Sequence, residues 1–257
     1  MIKAVFFDVD GTLVSHTSKS VPESARIALN KLREKGIKVI LSTGRHIHEL
    51  ENMPTNDIDF DGYILLNGQL GLDENKKLIF SNAFGKEDAD GLAEIFRNKE
   101  YPFALVNKDG HYMNFVNKLV EVALAGVSTP IPIIKEYEGE DLFQATVFIL
   151  PERDAEFSKI LPCGCKLARW SVHGADIIAA DGGKAVGMQF FAKELGILPE
   201  EMMAFGDAQN DIDMIQYAGV GIAMGNAEED LKQVADYVTT DVDQDGIRNA
   251  LKEYGLL

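Results

Sequence analysis

Ala4-Val5-Phe6-Phe7-Asp8-Val9-Asp10-Gly11-Thr12 opens with four apolar residues that stop abruptly at two acids and a glycine. A short apolar run closed by turn residues reads as a strand buried on both faces, and such strands belong to parallel sheets covered by helices. The same ending recurs in Leu41-Ser42-Thr43-Gly44 and in Phe205-Gly206-Asp207. Open α/β sheets bind ligands at the carboxyl ends of their strands, so Asp8, Asp10, Thr43 and Asp207 are expected to converge on one crevice. Any one of them is an ordinary cap or turn residue. Three acids and a hydroxyl at strand ends, taken together, are not explained as turns.

Outward from that strand, Ser20-Val21-Pro22-Glu23 spells a capping box, and Ala25, Ala28, Leu29 and Leu32 then mark one face of a helix that Gly36 closes. Strands are expected over 37–41 and 63–66. The same grammar returns at Lys184, with a helical stripe of Met188, Phe191, Ala192 and Leu195 ended by Gly196. A strand over 202–205, a helix over 211–217, a strand over 220–223 and helices from 227 and over 246–254 complete it. Residues 1–82 and 184–257 therefore read as two parts of one doubly wound, mostly parallel α/β sheet. The span 83–183 differs: strands over 103–106, 111–115, 146–150 and 176–179, helices over 88–98 and 117–125, and a hairpin at Lys108-Asp109-Gly110 make it an inserted α+β domain.

The 257 residues carry 25 Lys and Arg against 41 Asp and Glu, so the formal charge is 25 − 41 = −16. That charge repels phosphate backbones and anionic lipid, and neither a nucleic acid, a membrane nor an obligate protein partner is expected. No apolar run approaches the ~20 residues of a membrane span, and Met1 to Phe7 is too short for a signal peptide, so the expected location is cytoplasmic. Cys163 and Cys165, one residue apart, read as reduced bystander thiols.

Clustered carboxylates repel unless a hard divalent cation sits among them, and an all-oxygen donor set suits magnesium. A carboxylate in such a place can attack phosphorus while a second one exchanges protons with the leaving group and then with water. Asp8 and Asp10 have that relation. Lys184 and Thr43 supply the charge and the hydroxyl that hold phosphoryl oxygens in the transition state.

Asp8-Val9-Asp10-Gly11-Thr12, Ser42-Thr43-Gly44-Arg45, Lys184 and Gly206-Asp207-Ala208-Gln209-Asn210-Asp211, in this order, resemble the four motifs of the haloacid dehalogenase-like phosphatases. Leu66-Asn67-Gly68, Met224-Gly225-Asn226-Ala227 and the large insert resemble the Cof-type branch, which carries an α/β cap on a Rossmann-like core. The resemblance implies Asp8 as nucleophile and Asp10 as general acid and base. It implies phosphate or substrate contacts from Thr43, Gly44, Arg45, Asn67, Lys184 and Asn210. It implies Mg2+ held by Asp8, the main-chain carbonyl of Asp10 and Asp207, with Asp211 assisting through water or from behind the ligands. The substrate it implies is a small phosphorylated metabolite, with sugar phosphates foremost, cleaved through an aspartyl phosphate. Two positions depart from the pattern: Ala208 stands where glycine is usual, and Ala185 follows Lys184 where glycine is frequent.

Other motifs give less. Asp241-Val242-Asp243-Gln244-Asp245-Gly246 starts like a calcium loop, but its twelfth position is Lys252; its acids are expected to cap the last helix. No phosphate-binding Gly-x4-Gly-Lys-Ser/Thr or dinucleotide-binding Gly-x-Gly-x-x-Gly is present. His46 and His48 read as solvated helix residues, and Trp170 and His173 as packing or surface residues of the insert. Arg45 is open between a phosphate or sugar contact and a structural ion pair. A phosphomutase or phosphotransferase uses the same nucleophile, and a receiver-like phosphoacceptor uses similar groups, although the latter gives no role to Asp10 or to the insert.

Overall fold

Ala4–Phe7 (β1) is buried at every position, because its four apolar side chains face helices on both sides of the sheet. In the computed structural model, which describes residues 1–257, the chain then runs through Glu23–Glu34 (α1), Lys38–Ser42 (β2), Ile47–Leu50 (α2), Gly62–Leu65 (β3), Leu70–Asp73 (β4) and Leu78–Ser81 (β5). The insert follows with Lys86–Asn98 (α3), Phe103–Asn107 (β6), Gly110–Met113 (β7), Lys118–Gly126 (α4), Ile133–Ile134 (β8), Gln144–Val147 (β9), Asp154–Phe157 (α5), Cys165–Ser171 (β10) and Gly174–Ala179 (β11). The chain closes with Lys184–Leu195 (α6), Met202–Gly206 (β12), Ile212–Tyr217 (α7), Val220–Ala223 (β13), Glu229–Val234 (α8), Tyr237–Val238 (β14) and Gly246–Glu253 (α9). Two compact units result, Met1–Phe80 with Gly183–Leu257, and Ser81–Gly182.

In the first unit eight strands lie in the order β14-β13-β12-β1-β2-β3-β4-β5. Pairing is parallel from β14 through β3 and turns antiparallel at β4. The chain winds away from β1 on one side through β2 and on the other through β12, which places a crevice at the carboxyl ends of these three strands. Phe7 and Phe205 lock the β1–β12 pair with stacked rings whose centroids are 5.0 Å apart. Ala25, Ala28, Leu29 and Leu32 are the buried face of α1, and Gly36, at φ +75°, turns the chain out of it.

The second unit is a six-stranded sheet, β10-β11-β9-β6-β7-β8, antiparallel except for the β7–β8 pair. Its main core gathers Phe96, Phe103, Leu105 and Phe157 among other fully buried residues. No helix of the chain is long and apolar enough to cross a membrane.

The capping box expected at Ser20 does not form. The residue before α1 is Pro22, which offers no capping side chain, and the Ser20 hydroxyl lies 2.9 Å from that of Ser18. The acids before α9 do not cap it either: Asp241 accepts instead from the Asp243 amide at 2.9 Å, and Asp243 from the Ser15 hydroxyl at 2.9 Å. Strands β4, β5, β8, β10 and β14 were not expected from the sequence. The longest, β10, is an edge strand whose Lys166 and Arg169 interrupt the apolar signal.

Leu66, Asn67 and Gly68 leave β3 with φ of +51°, +51° and +91°, three successive residues in the left-handed region. A Cβ on Gly68 would sit 2.0 Å from the Gly183 carbonyl oxygen, main chain that cannot step aside without moving Lys184. Gly68→Ala should therefore cost more than about 2 kcal/mol, adding overpacking to left-handed strain. Urea unfolding checks this, and a loss under about 0.5 kcal/mol would contradict the packing described.

Candidate active site

The crevice at the ends of β1, β2 and β12 gathers four charged groups. Asp8, Asp207 and Asp211 each present a carboxylate oxygen within 4.8 Å of the others, all three buried. Lys184, the first residue of α6 and fully buried, donates to Asp8 Oδ1 at 2.6 Å and to Asp211 Oδ1 at 2.5 Å. An ammonium has three donors, so one remains beyond these two bonds.

Each group is held from behind. Asp8 ends β1, and its main-chain amide donates to Phe205 O across the sheet. Thr12 Oγ1 donates to Asp207 Oδ1 at 2.9 Å. Asp211 Oδ2 accepts from the amides of Asp207 and Ala208 at 2.9 and 3.1 Å. Both Asp211 oxygens are thus occupied, and it braces the loop and the lysine; the oxygens open to a cation come first from Asp8 and Asp207. Asp213 Oδ2 accepts from the Ala185 amide at 3.1 Å, which fixes the first turn of α6 and hence Lys184. Glycine is not required at position 185 for that bond.

Three acids against one lysine leave 1 − 3 = −2 in a site shut off from water. Burial first, then Asp211, pushes the Asp8 pKa up to about 7, against the pull of Lys184. Burial, with Asp8 and Asp211 adding repulsion, likewise lifts Asp207 well above the carboxylate range. Burial works against the Lys184 charge, but Asp211 and Asp8 outweigh it and its pKa rises. A site that must ionise its acids and lacks two positive charges fits a hard divalent cation. The donor set agrees, being wholly carboxylate, and Gly11 leaves room: a Cβ there would fall 2.2 Å from Asp207 Oδ2.

Asp10 does not join the acidic cluster through its side chain. Its carboxylate is gripped by the Arg45 guanidinium, Nε to Oδ2 at 2.6 Å and Nη2 to Oδ1 at 2.8 Å. Arg45 also reaches Glu49 Oε1 through Nη1 at 3.4 Å. Burial opposes the Arg45 charge, yet Asp10 and Glu49 push its pKa upward. In this structure Arg45 is the ion-pair partner of the two readings its sequence left open.

Thr43 follows β2 and is buried; its hydroxyl accepts from the Arg45 amide at 3.2 Å, and Gly44 forms the bend between them. Asn67 Oδ1 accepts from Asn210 Nδ2 at 3.0 Å, which ties the left-handed loop after β3 to the loop after β12. One reading is corrected. His46 is buried, because it precedes α2 in an extended conformation rather than lying within it, and its side chain accepts from the His48 amide at 3.3 Å. Trp170 packs edge-on against Phe148 inside the insert, in keeping with the packing role read from the sequence. Sequence reasoning gave no role to Thr12, Glu49, Asp213 or Asn226. Asn226, whose Nδ2 donates to Gly11 O at 2.8 Å and whose Oδ1 accepts from the Val242 amide at 2.9 Å, links three loops; the readable signals were the place of Thr12 and Asn226 within the motifs quoted above and the four-residue spacing of Arg45 and Glu49.

Residues 5–251 match the family described as haloacid dehalogenase-like hydrolase. YkrA of Bacillus subtilis, a phosphatase by name alone, is 31% identical over 258 residues, spanning 99% of this chain and 98% of its own. BT1666 of Bacteroides thetaiotaomicron, studied among the phosphatases of the haloalkanoate enzyme superfamily, is 33% identical with a TM-score of 0.90 over 100% of this chain and 96% of its own. The subclass IIB sugar phosphatase BT4131 is also 33% identical, with a TM-score of 0.90 over 99% of this chain and 100% of its own.

The electrostatics fix a pH response. A carboxyl held above its unfolded pKa makes the fold lose stability as pH rises between the two values, here from 3.8 to about 7 for Asp8. Cation-free protein should therefore unfold at a lower temperature near pH 8 than near pH 5. Millimolar magnesium should raise that temperature more near pH 8, where binding displaces fewer protons. Equal stabilisation at both pH values would contradict a cation seated among these carboxylates.

Proposed function

The chain belongs to the haloacid dehalogenase-like hydrolases, and from that premise we propose a magnesium-dependent phosphatase that hydrolyses small phosphorylated metabolites, sugar phosphates foremost, through an aspartyl phosphate on Asp8. The observation that carries this reading is the contact of Lys184 with Asp8 and Asp211 at the mouth of β1, with Asp207 alongside. Its kinship with BT4131, a sugar phosphatase, supports the substrate class.

Asp8 attacks phosphorus, and the bond to the leaving oxygen breaks as Asp10 gives that oxygen a proton. Asp10, now a carboxylate, takes a proton from water, whose oxygen attacks the aspartyl phosphate and releases inorganic phosphate and Asp8. Lys184 directs its remaining donor, and Thr43 its hydroxyl, at the phosphoryl oxygens as charge redistributes onto them. Asp8, Asp207 and the main-chain carbonyl of Asp10 would hold magnesium, which would supply the positive charge that lets an anionic nucleophile approach an anionic ester. Asp211 keeps Lys184 and the loop after β12 in place throughout.

These groups address the phosphate and nothing beyond it. Residues 83–183 are therefore assigned the recognition of the rest of the metabolite, as the substrate-specificity unit of the enzyme.

Asp8→Asn should fold normally and release phosphate at least ~1,000-fold more slowly, the scale of a lost nucleophile. A screen of phosphorylated metabolites with magnesium checks this; full turnover by the variant, or by the native enzyme in excess chelator, would exclude the mechanism. Calcium should inhibit, because its larger and looser shell places the nucleophile badly. Replacing 83–183 by a short linker should keep basal hydrolysis of acetyl phosphate and abolish discrimination among metabolites, whereas an unchanged preference would put selectivity in the core.

A further inference from the structure

Glu49 stands outside the residues that touch phosphate or cation, yet it holds the one side chain that holds Asp10. Three donors of Arg45 are accounted for: Nε and Nη2 fork onto the two oxygens of Asp10, and Nη1 points to Glu49 Oε1. The Arg45 side chain is 8% exposed and that of Glu49 16% exposed, against 27% for Asp10. Glu49 is itself fixed, since Oε2 accepts from the His46 amide at 2.8 Å and so caps α2. The main chain of Arg45 is pinned as well, its amide on Thr43 Oγ1 at 3.2 Å and its carbonyl accepting from the Leu66 amide at 3.3 Å.

A forked guanidinium fixes the plane of the carboxylate it binds. Each carboxylate oxygen keeps a second lone pair outside the fork, so the grip orients Asp10 without closing it to a proton. Glu49 gives the guanidinium an anchor other than the residue it is meant to orient. We propose that Glu49 is a positioning residue for proton transfer: through Arg45 it sets the orientation in which Asp10 meets the leaving oxygen and later the attacking water. This rests on the reading of Asp10 as general acid and base.

Leaving groups supply the readout. An alkyl phosphate such as a hexose 6-phosphate needs its departing oxygen protonated, whereas 4-nitrophenyl phosphate leaves as a stable phenolate. Misplacing the acid by about an ångström costs up to ~100-fold, so in single-turnover measurements of leaving-group release Glu49→Ala should slow the alkyl ester ~10- to 100-fold and the aryl ester less than about threefold, the later hydrolysis of the aspartyl phosphate being common to both. Glu49→Gln separates positioning from capping. With its one carbonyl oxygen on the His46 amide, its NH2 faces the guanidinium, so the cap survives and the grip is lost. It should be as impaired as Glu49→Ala on the alkyl ester while regaining thermal stability. Arg45→Lys, which keeps the charge and loses the fork, should show the same selective defect. Glu49→Ala combined with Asp10→Asn should be no slower than Asp10→Asn alone, because both act on one step.

Equal losses on both esters, recovery of activity in Glu49→Gln, or additivity with Asp10→Asn would each overturn the proposal. Asp10→Asn alone is the control. If it slows leaving-group release from both esters equally, the assignment of Asp10 falls and Glu49 falls with it. If it is selective while Glu49→Gln is not, only the link through Arg45 is wrong.

Discussion

A lysine with no exposure to solvent, bonded to two carboxylates at 2.6 and 2.5 Å, is the constraint around which the core is organised. Stripping an ammonium of water costs several kcal/mol, and removing either partner of such a buried pair typically costs about 3–5 kcal/mol. The pair is retained because a third acid, Asp207, makes the site electron-rich and leaves it two charges short of neutrality. The same deficit that lifts the pKa of Asp8 and Asp207 invites a divalent cation and an arrangement able to handle phosphate. Fold stability and chemistry are here two readings of one charge balance.

The parallel sheet makes that balance reachable. Asp8 and Asp207 arrive at one point because β1 and β12 pair in register and end together, Phe7 opposite Phe205. Lys184 arrives from a helix, and its position depends on main chain: Asp213 holds the first turn of α6, while the carbonyl of Gly183 abuts the left-handed loop at Gly68. That loop carries Asn67 to Asn210, so strain after β3 and order in the loop after β12 are linked. Arg45 serves Asp10 in the way Asp211 serves Lys184. Asp8, Asp10 and Lys184 are each held by a side chain of opposite charge.

Apolar runs that stop at polar residues mark strand ends, and strand ends mark the crevice, which is why Asp8, Asp10, Thr43 and Asp207 were legible in the sequence. Lys184 lies 176 residues from its partner Asp8 and was found by motif order, because no local periodicity connects them. The reading of His46 as a helix position failed at the boundary, whereas His48 lies exposed in α2 as expected: His46 sits one residue before α2, in extended backbone that turns its ring inward. Ser20 failed for a related reason, since Pro22 rather than Ser20 is the residue that precedes α1. Strands β5 and β10 escaped notice because they lie at sheet edges, where half-exposed side chains blur alternation. The sequence left Arg45 open between a substrate contact and an ion pair and did not name Asp10 as the partner, as the fork depends on the bend at Gly44 that swings a residue after β2 across to the end of β1.

The central claim is that a carboxylate of this chain, rather than water, makes the first bond to phosphorus. The stereochemical course at an isotopically chiral phosphate ester, transferred to an alcohol in place of water, tests it most directly. Two in-line displacements, on Asp8 and then on the aspartyl phosphate, predict retention of configuration at phosphorus. Inversion would mean a single direct displacement, and Asp8 would then have no covalent part in the reaction.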